Sequence, residues 1–244
     1  MAVIVGADTE VGAAIAQRYH RAGTNLIAVV RGSSAQESAR ASGPASEHPG
    51  PLAPAANPTR VWDPRSPLAA RSLVLELTVS APLELCIVVE DPSVLAPQRL
   101  HEAHLFDIDR VVDEHLKSYA FLLRELLRHR AEAAQVAGTA GSRGRLAVVR
   151  TLVAGTGGTF APLNACVVGA LGALVNALSS SADLPGTDLA VFEPVAARSG
   201  DDPLADAAAR TAYADFVVDT LETEAAAGVG RHRFRPGRRR LPLF

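Results

Sequence analysis

Short, unbroken apolar runs alternate with longer stretches whose apolar residues recur at helical spacing. Ala2-Val3-Ile4-Val5 is the first run, followed by a turn that carries Gly6 and Gly12. A run of that length bounded by glycine predicts a strand buried on both faces. From Ala13 to Arg21, the residues Ile15, Ala16 and Tyr19 share one helical face, and Leu26 to Val30 is a second run. Strand, glycine turn, helix and strand make the opening βαβ unit of a parallel sheet.

From Gly32 to Pro67 the chain is rich in Ser, Ala, Pro and Gly and has little apolar periodicity. The pattern predicts an insertion over residues 33–66, either an ordinary surface loop or a lid. A short helix over Ser34 to Ala41 and a short strand at Thr59-Arg60-Val61-Trp62 are expected within it. Beyond it the pattern predicts helices over Leu68 to Leu77, Ile108 to Ala134, Ala165 to Leu178 and Ala205 to Ala226. Strands are expected over Leu85 to Val89, Arg145 to Val149 and Leu189 to Phe192, with a short last one around Phe234. No internal repeat emerges. The fold class expected is α/β: one doubly wound, Rossmann-like domain over residues 1–244, with six or seven parallel strands and helices on both faces. The helix over 165–178 is apolar nearly all round, so both of its faces need cover. The sheet covers one, and either a neighbouring helix or another subunit covers the other.

Composition narrows the function classes. The chain has 244 residues and a formal charge of -2, unlike the strongly basic surface of a nucleic-acid-binding protein. No run of about 18 apolar residues predicts a membrane span, and the opening residues read as strand and turn in place of a signal peptide. Two cysteines, Cys86 and Cys166, are too few for a disulfide framework and suit a reducing cytoplasm. Lys117 is the only lysine among 24 basic side chains, the others being arginine. Arginines concentrate in a basic tail over 231–244, expected either to be solvated or to dock Leu241, Leu243 and Phe244 on a neighbouring subunit.

Five segments, in order along the chain, resemble landmarks of the short-chain dehydrogenase/reductase family. Val5-Gly6-Ala7-Asp8-Thr9-Glu10-Val11-Gly12 is similar to the TGxxxGxG cofactor turn. Leu83 to Asp91 resembles the strand that ends in NNAG, and Asp109 to Lys117 the helix with the N-L-K segment. Gly144 to Val149 resembles the strand before the catalytic serine, and Glu193-Pro194-Val195 the P-G turn. The resemblance implies a Rossmann-like fold, an NAD(P) cofactor, and proton transfer by a Tyr and by a Lys four residues later. In that scheme the lysine's charge lowers the phenol pKa, while a Ser and an Asn complete the site.

The residues at those positions depart from the pattern. The serine position holds Thr151, the tyrosine position Asn164, the lysine position Val168 and the asparagine position His115. With Lys117 preceded at four residues by Asp113, no YxxxK exists in the chain, and no ordinary reductase activity by this chain alone is expected. At the cofactor turn Gly6 and Gly12 remain, but Glu10 replaces the middle glycine, and either Asp8 or Thr9 is placed to cap the following helix. Glu90 and Asp91 add acids at the NNAG position. Two like charges about 6 Å apart repel by roughly 3 kcal/mol at an effective dielectric near 20, so dinucleotide binding is expected to be lost. Arg31 follows the second strand and suits a 2′-phosphate, which makes NADP the cofactor if there is any. Asp63 resembles the family's adenine-contacting acid, and equally suits a cap for the helix after it.

Two other groupings are open to chemistry. Asp8, Glu10, Glu90 and Asp91 converge on one sheet edge, as solvated acids or as a cation site; no histidine or cysteine spacing indicates a metal. His115, Thr151 and Asn164 form either a remnant of the old pocket or a general-base pair for cyclisation, dehydration or isomerisation. The reading expected first is a pseudoenzyme. Its partners would be itself or an active homologue, met through helices 109–130 and 165–178, with no nucleic acid or membrane. A sensor that keeps NADP(H) is a further alternative.

Overall fold

Seven parallel strands build one sheet: β1 (Ala2–Val5), β2 (Leu26–Arg31), β3 (Thr59–Trp62), β4 (Leu85–Glu90), β5 (Gly144–Arg150), β6 (Thr187–Pro194) and β7 (Gly230–Phe234), in the order β3-β2-β1-β4-β5-β6-β7. The computed structural model describes residues 1–32, 58–79, 82–90, 100–137, 143–152, 162–181, 184–196, 202–223 and 230–236. The expected helix over Ser34 to Ala41, Asp91, and Leu241, Leu243 and Phe244 of the tail lie outside them. Strand order reverses between β1 and β4, and the crevice beyond their C-terminal ends is where such sheets take ligands.

The apolar runs are continuous because both faces are covered. Val3, Val5, Cys86, Val88, Leu146, Val148 and Val191 point to one side, where α2 (Pro67–Val79), α4 (Ser118–Ala137) and α5 (Pro162–Ser180) supply Leu73, Leu77, Leu122, Leu126, Leu171 and Val175. Ile4, Ala28, Ile87, Ala147, Val149 and Phe192 point to the other, against Ile15, Tyr19, Tyr213 and Val217 of α1 (Glu10–Arg21) and α6 (Ala207–Thr223). Each fully buried Val, Leu, Ile or Phe contributes about 1.5–3 kcal/mol, and the strands alternate these contributions between the two layers.

Two elements differ from the sequence expectation in ways that bear on the site, and a third, the last strand, stands where it was expected. Helix α1 starts at Glu10, one turn earlier than the apolar spacing predicts, because Thr9 caps it. The long helix begins as α3 (Leu105–Val111) and passes through a π-helical turn, Val112–Lys117, before α4. Such turns carry one residue too many for the α repeat and re-aim the side chains within them. Here His115 is buried while Asp113 and Lys117 pair outside at 2.7 Å. The basic tail, finally, starts as β7. Its His232 ring stacks on Phe192 at 4.9 Å, and Phe234 lies 5.2 Å from Tyr213 and 5.6 Å from Phe216.

Helix α5 buries Val167, Val168, Leu171, Gly172 and Val175 against the sheet. By length and composition alone it would also suffice to cross a membrane. Ala165, Gly169, Ala173 and Ala177, with Cys166, form its exposed face. A Cβ placed on Gly169 would meet nothing within 4 Å. Of the two covers anticipated for this helix, no described element of the chain supplies the outer one.

Candidate functional site

The glycine turn between β1 and α1 is closed by its own side chains. Thr9 Oγ1 donates to the Gly6 carbonyl at 2.7 Å and accepts from the Gly12 amide at 3.0 Å. Of the two capping candidates the structure selects Thr9, since Asp8 turns aside to accept from Arg31 Nε at 3.0 Å. Both glycines answer to packing against the chain itself. Gly6 has a φ of 86°, and a Cβ there would lie 2.8 Å from the Val89 carbonyl oxygen; a Cβ on Gly12 would overlap the Gly6 carbonyl. Glu10, at the middle glycine position, is bound by Arg210 of α6. Asp63 does not cap α2. Its Oδ1 accepts from the Arg65 amide at 3.0 Å, and Ser66 Oγ accepts from the Ala69 amide at 3.2 Å at the start of that helix.

Further along the same edge the strands end in charges that stand in register. Glu90 of β4 is paired with Arg150 of β5, Arg150 comes level with Glu193 of β6 one step beyond the Val149–Phe192 pair, and Glu193 stands beside Arg233 of β7. Arg150 Nη1 donates to Glu193 Oε1 at 2.8 Å, and its Nε lies 3.5 Å from Glu90 Oε2. Arg150 Nη2 donates to the Val168 carbonyl of α5 at 3.1 Å, in the space left by Gly172. All three charged side chains are buried, Glu90 most deeply at 3% exposure. Burial pushes the Glu90 carboxyl up to about 7; the Arg150 guanidinium opposes that rise and the Glu193 carboxylate adds to it.

The family's catalytic positions surround this cluster. Thr151 follows Arg150, and both its amide (3.1 Å) and its hydroxyl (2.9 Å) donate to the Glu90 carbonyl. Asn164 and Val168 lie on the buried face of α5, and His115 is buried in the π turn. The Thr151 proton is therefore committed to the backbone and not to a base. The four acids expected to converge are separated by arginines wherever they are described: Asp8 by Arg31, Glu10 by Arg210, Glu90 by Arg150. Among the described residues no cluster of acids, histidines and cysteines fits a metal ion. Sequence reasoning passed over Arg150, whose signal was the single charge closing each of the apolar runs Leu-Cys-Ile-Val-Val-Glu and Leu-Ala-Val-Val-Arg.

No family model matches the chain, and no curated protein does either. Solved structures do. A short-chain dehydrogenase/reductase from Vibrio parahaemolyticus superposes with a TM-score of 0.66 at 16% identity, over 96% of this chain and 99% of that one. Serine dehydrogenase from Escherichia coli gives 0.64 at 16%, over 97% and 98%. A short chain dehydrogenase from Burkholderia cenocepacia J2315, solved in complex with NADP, gives 0.62 at 18%, over 97% and 96%. The chain thus has the short-chain dehydrogenase/reductase fold. The dinucleotide that this fold implies needs open amides at the start of α1 and an uncommitted cation for a 2′-phosphate. The residues present do not fit it: Thr9 takes the Gly12 amide, Asp8 holds Arg31, and the Glu10 carboxylate stands at the helix start.

Proposed function

We propose that the chain is a catalytically deficient protein on the short-chain dehydrogenase/reductase fold, acting as a structural or regulatory subunit with itself or with an active homologue. One observation carries the reading: the glycine turn is sealed from inside by Thr9, while the positions for the tyrosine and lysine hold buried Asn164 and Val168. None of the three tyrosines has a lysine four residues on. NADP is the dinucleotide to try, since Arg31 is the single feature that favours one. The contact surface is the uncovered face of α5 together with helix 109–130. Ala165, Gly169 and Ala173 let another helix approach closely there, and the unpaired thiols Cys86 and Cys166 fit a cytoplasmic setting. The Thr151 hydrogen bond to the Glu90 carbonyl counts against a Thr151–His115 base pair for non-redox chemistry, and the Asp8–Arg31 pair counts against a dinucleotide sensor.

The deciding assay is turnover of NADH and NADPH by the purified chain across a panel of carbonyls and alcohols. None is expected, and sustained oxidation or reduction overturns the reading. Calorimetry with NADPH at millimolar concentration is expected to show no binding heat.

A further inference from the structure

The carboxyl groups of Glu90 and Glu193 share one guanidinium at the end of three neighbouring strands, and that same guanidinium reaches a helix. Glu193 holds Arg150 at 2.8 Å, whereas Glu90 stays at 3.5 Å and its Oε1 accepts no hydrogen bond among the described residues. Arg150 is the one buried arginine between the two carboxylates, and a second cation, the partly exposed Arg231, lies 3.9 Å from Glu193 and not against Glu90. An ionised Glu90 therefore has to share a guanidinium already held by Glu193, and a poorly compensated buried charge is far costlier than a neutral acid. We propose that Glu90, Arg150 and Glu193 form a proton-operated clamp on α5. With Glu90 protonated, Arg150 is left to Glu193 and keeps its bond to the Val168 carbonyl; when Glu90 ionises, its carboxylate draws the guanidinium away and loosens the helix.

The surroundings assign the proton to Glu90. On β6, Glu193 repels its charge; on β5, Arg150 attracts it; on β7, Arg231 lies 3.9 Å from Glu193. The Tyr119 hydroxyl of α4 is bound to the Val89 carbonyl, and the Tyr213 hydroxyl of α6 to the Arg150 carbonyl. His115 is buried in the π turn packed against α5, and the His232 ring of β7 stacks on Phe192, next to Glu193. Burial raises the Glu90 carboxyl from its ordinary 4.5 to about 7, above its unfolded value. Its contribution to stability is therefore complete below pH 4.5 and is lost as the pH rises through 7. The clamp does not depend on what the outer face of α5 binds, nor on whether the chain is an enzyme.

The test is urea unfolding of the full chain from pH 5 to 8.5, with amide hydrogen exchange of α5 corrected for the intrinsic pH effect. In the wild type the unfolding midpoint falls across this range, and α5 exchanges about tenfold faster at pH 8 than at pH 6 relative to α1. Glu90→Gln abolishes both pH dependences. Glu193→Gln moves the transition to lower pH by removing the repelling carboxylate, and it decides the matter if Glu90→Gln does not fold. His115→Gln leaves the transition in place. A pH dependence that survives Glu90→Gln, is unmoved by Glu193→Gln or disappears with His115→Gln overturns the proposal.

Discussion

At the scale of single residues, Gly6 and Gly12 are the instructive pair. In the sequence they read as glycines that clear a path for a diphosphate, and their spacing did locate the turn. What keeps them is internal, because a side chain at Gly12 would run into the Gly6 carbonyl. Gly12→Ala is expected to destabilise the chain by roughly 1–3 kcal/mol through overpacking, and Thr9→Ala by about 1 kcal/mol through loss of the cap. Urea midpoints measure both, with and without NADPH, and the nucleotide is expected to leave each value unchanged. The choice between Asp8 and Thr9 as cap was not legible, since both residue types cap helices. It depends on Arg31 lying within reach of Asp8, a contact between residues 23 positions apart. The same holds for Arg150: hydropathy registers the end of an apolar run but not the acid that stands level with it on the next strand.

At the scale of elements, helix α5 separates what periodicity can and cannot reveal. Its apolar character on every side was plain, and so was the need for cover on two faces. Which glycine faces which way was not, because Gly169 and Gly172 differ by less than a turn. Gly172 leaves room for Arg150 Nη2, 2.9 Å from where a Cβ would be, whereas Gly169 faces open space. Gly169→Ala is therefore expected to stabilise the isolated chain by about 0.5–1 kcal/mol through helix propensity. Gly172→Ala is expected to destabilise it despite the same gain, and chemical denaturation of the pair reads the contrast directly. The π turn escaped notice for a related reason. Its residues fit an amphipathic helix well enough that one extra residue does not break the apolar stripe.

For the whole molecule, alternating apolar runs and helical stretches carried the architecture. All seven expected strands are present, and together they form the sheet. The crevice was legible as a location, because strand order in such a sheet dictates it, but its contents were not. Placing a tyrosine and a lysine at the two matching positions tests this at its own scale. Asn164→Tyr/Val168→Lys is expected to give no NADPH oxidation, because the turn stays closed by Thr9 and the Arg150 cluster stays beneath the helix. Turnover by that double variant would show that the turn closed by Thr9 does not bar the dinucleotide. Assembly is expected to answer to the outer face of α5: Ala173→Arg should lower the sedimenting mass without altering the unfolding midpoint of the monomer.

Lys117 offers a consequence of a different kind. Apart from the α-amino group, it is the one primary amine in the chain, and it sits half-exposed on the π turn in a 2.7 Å pair with Asp113. That bond favours the ammonium form and makes the amine a slower nucleophile. Any acyl tag, lysine cross-linker or isopeptide-forming ligase therefore has a single side chain to attack, on the segment packed against α5. A cross-link between two side chains of identical copies can only join Lys117 to Lys117, so its reach is a direct ruler across the symmetry axis of whatever assembly the chain forms.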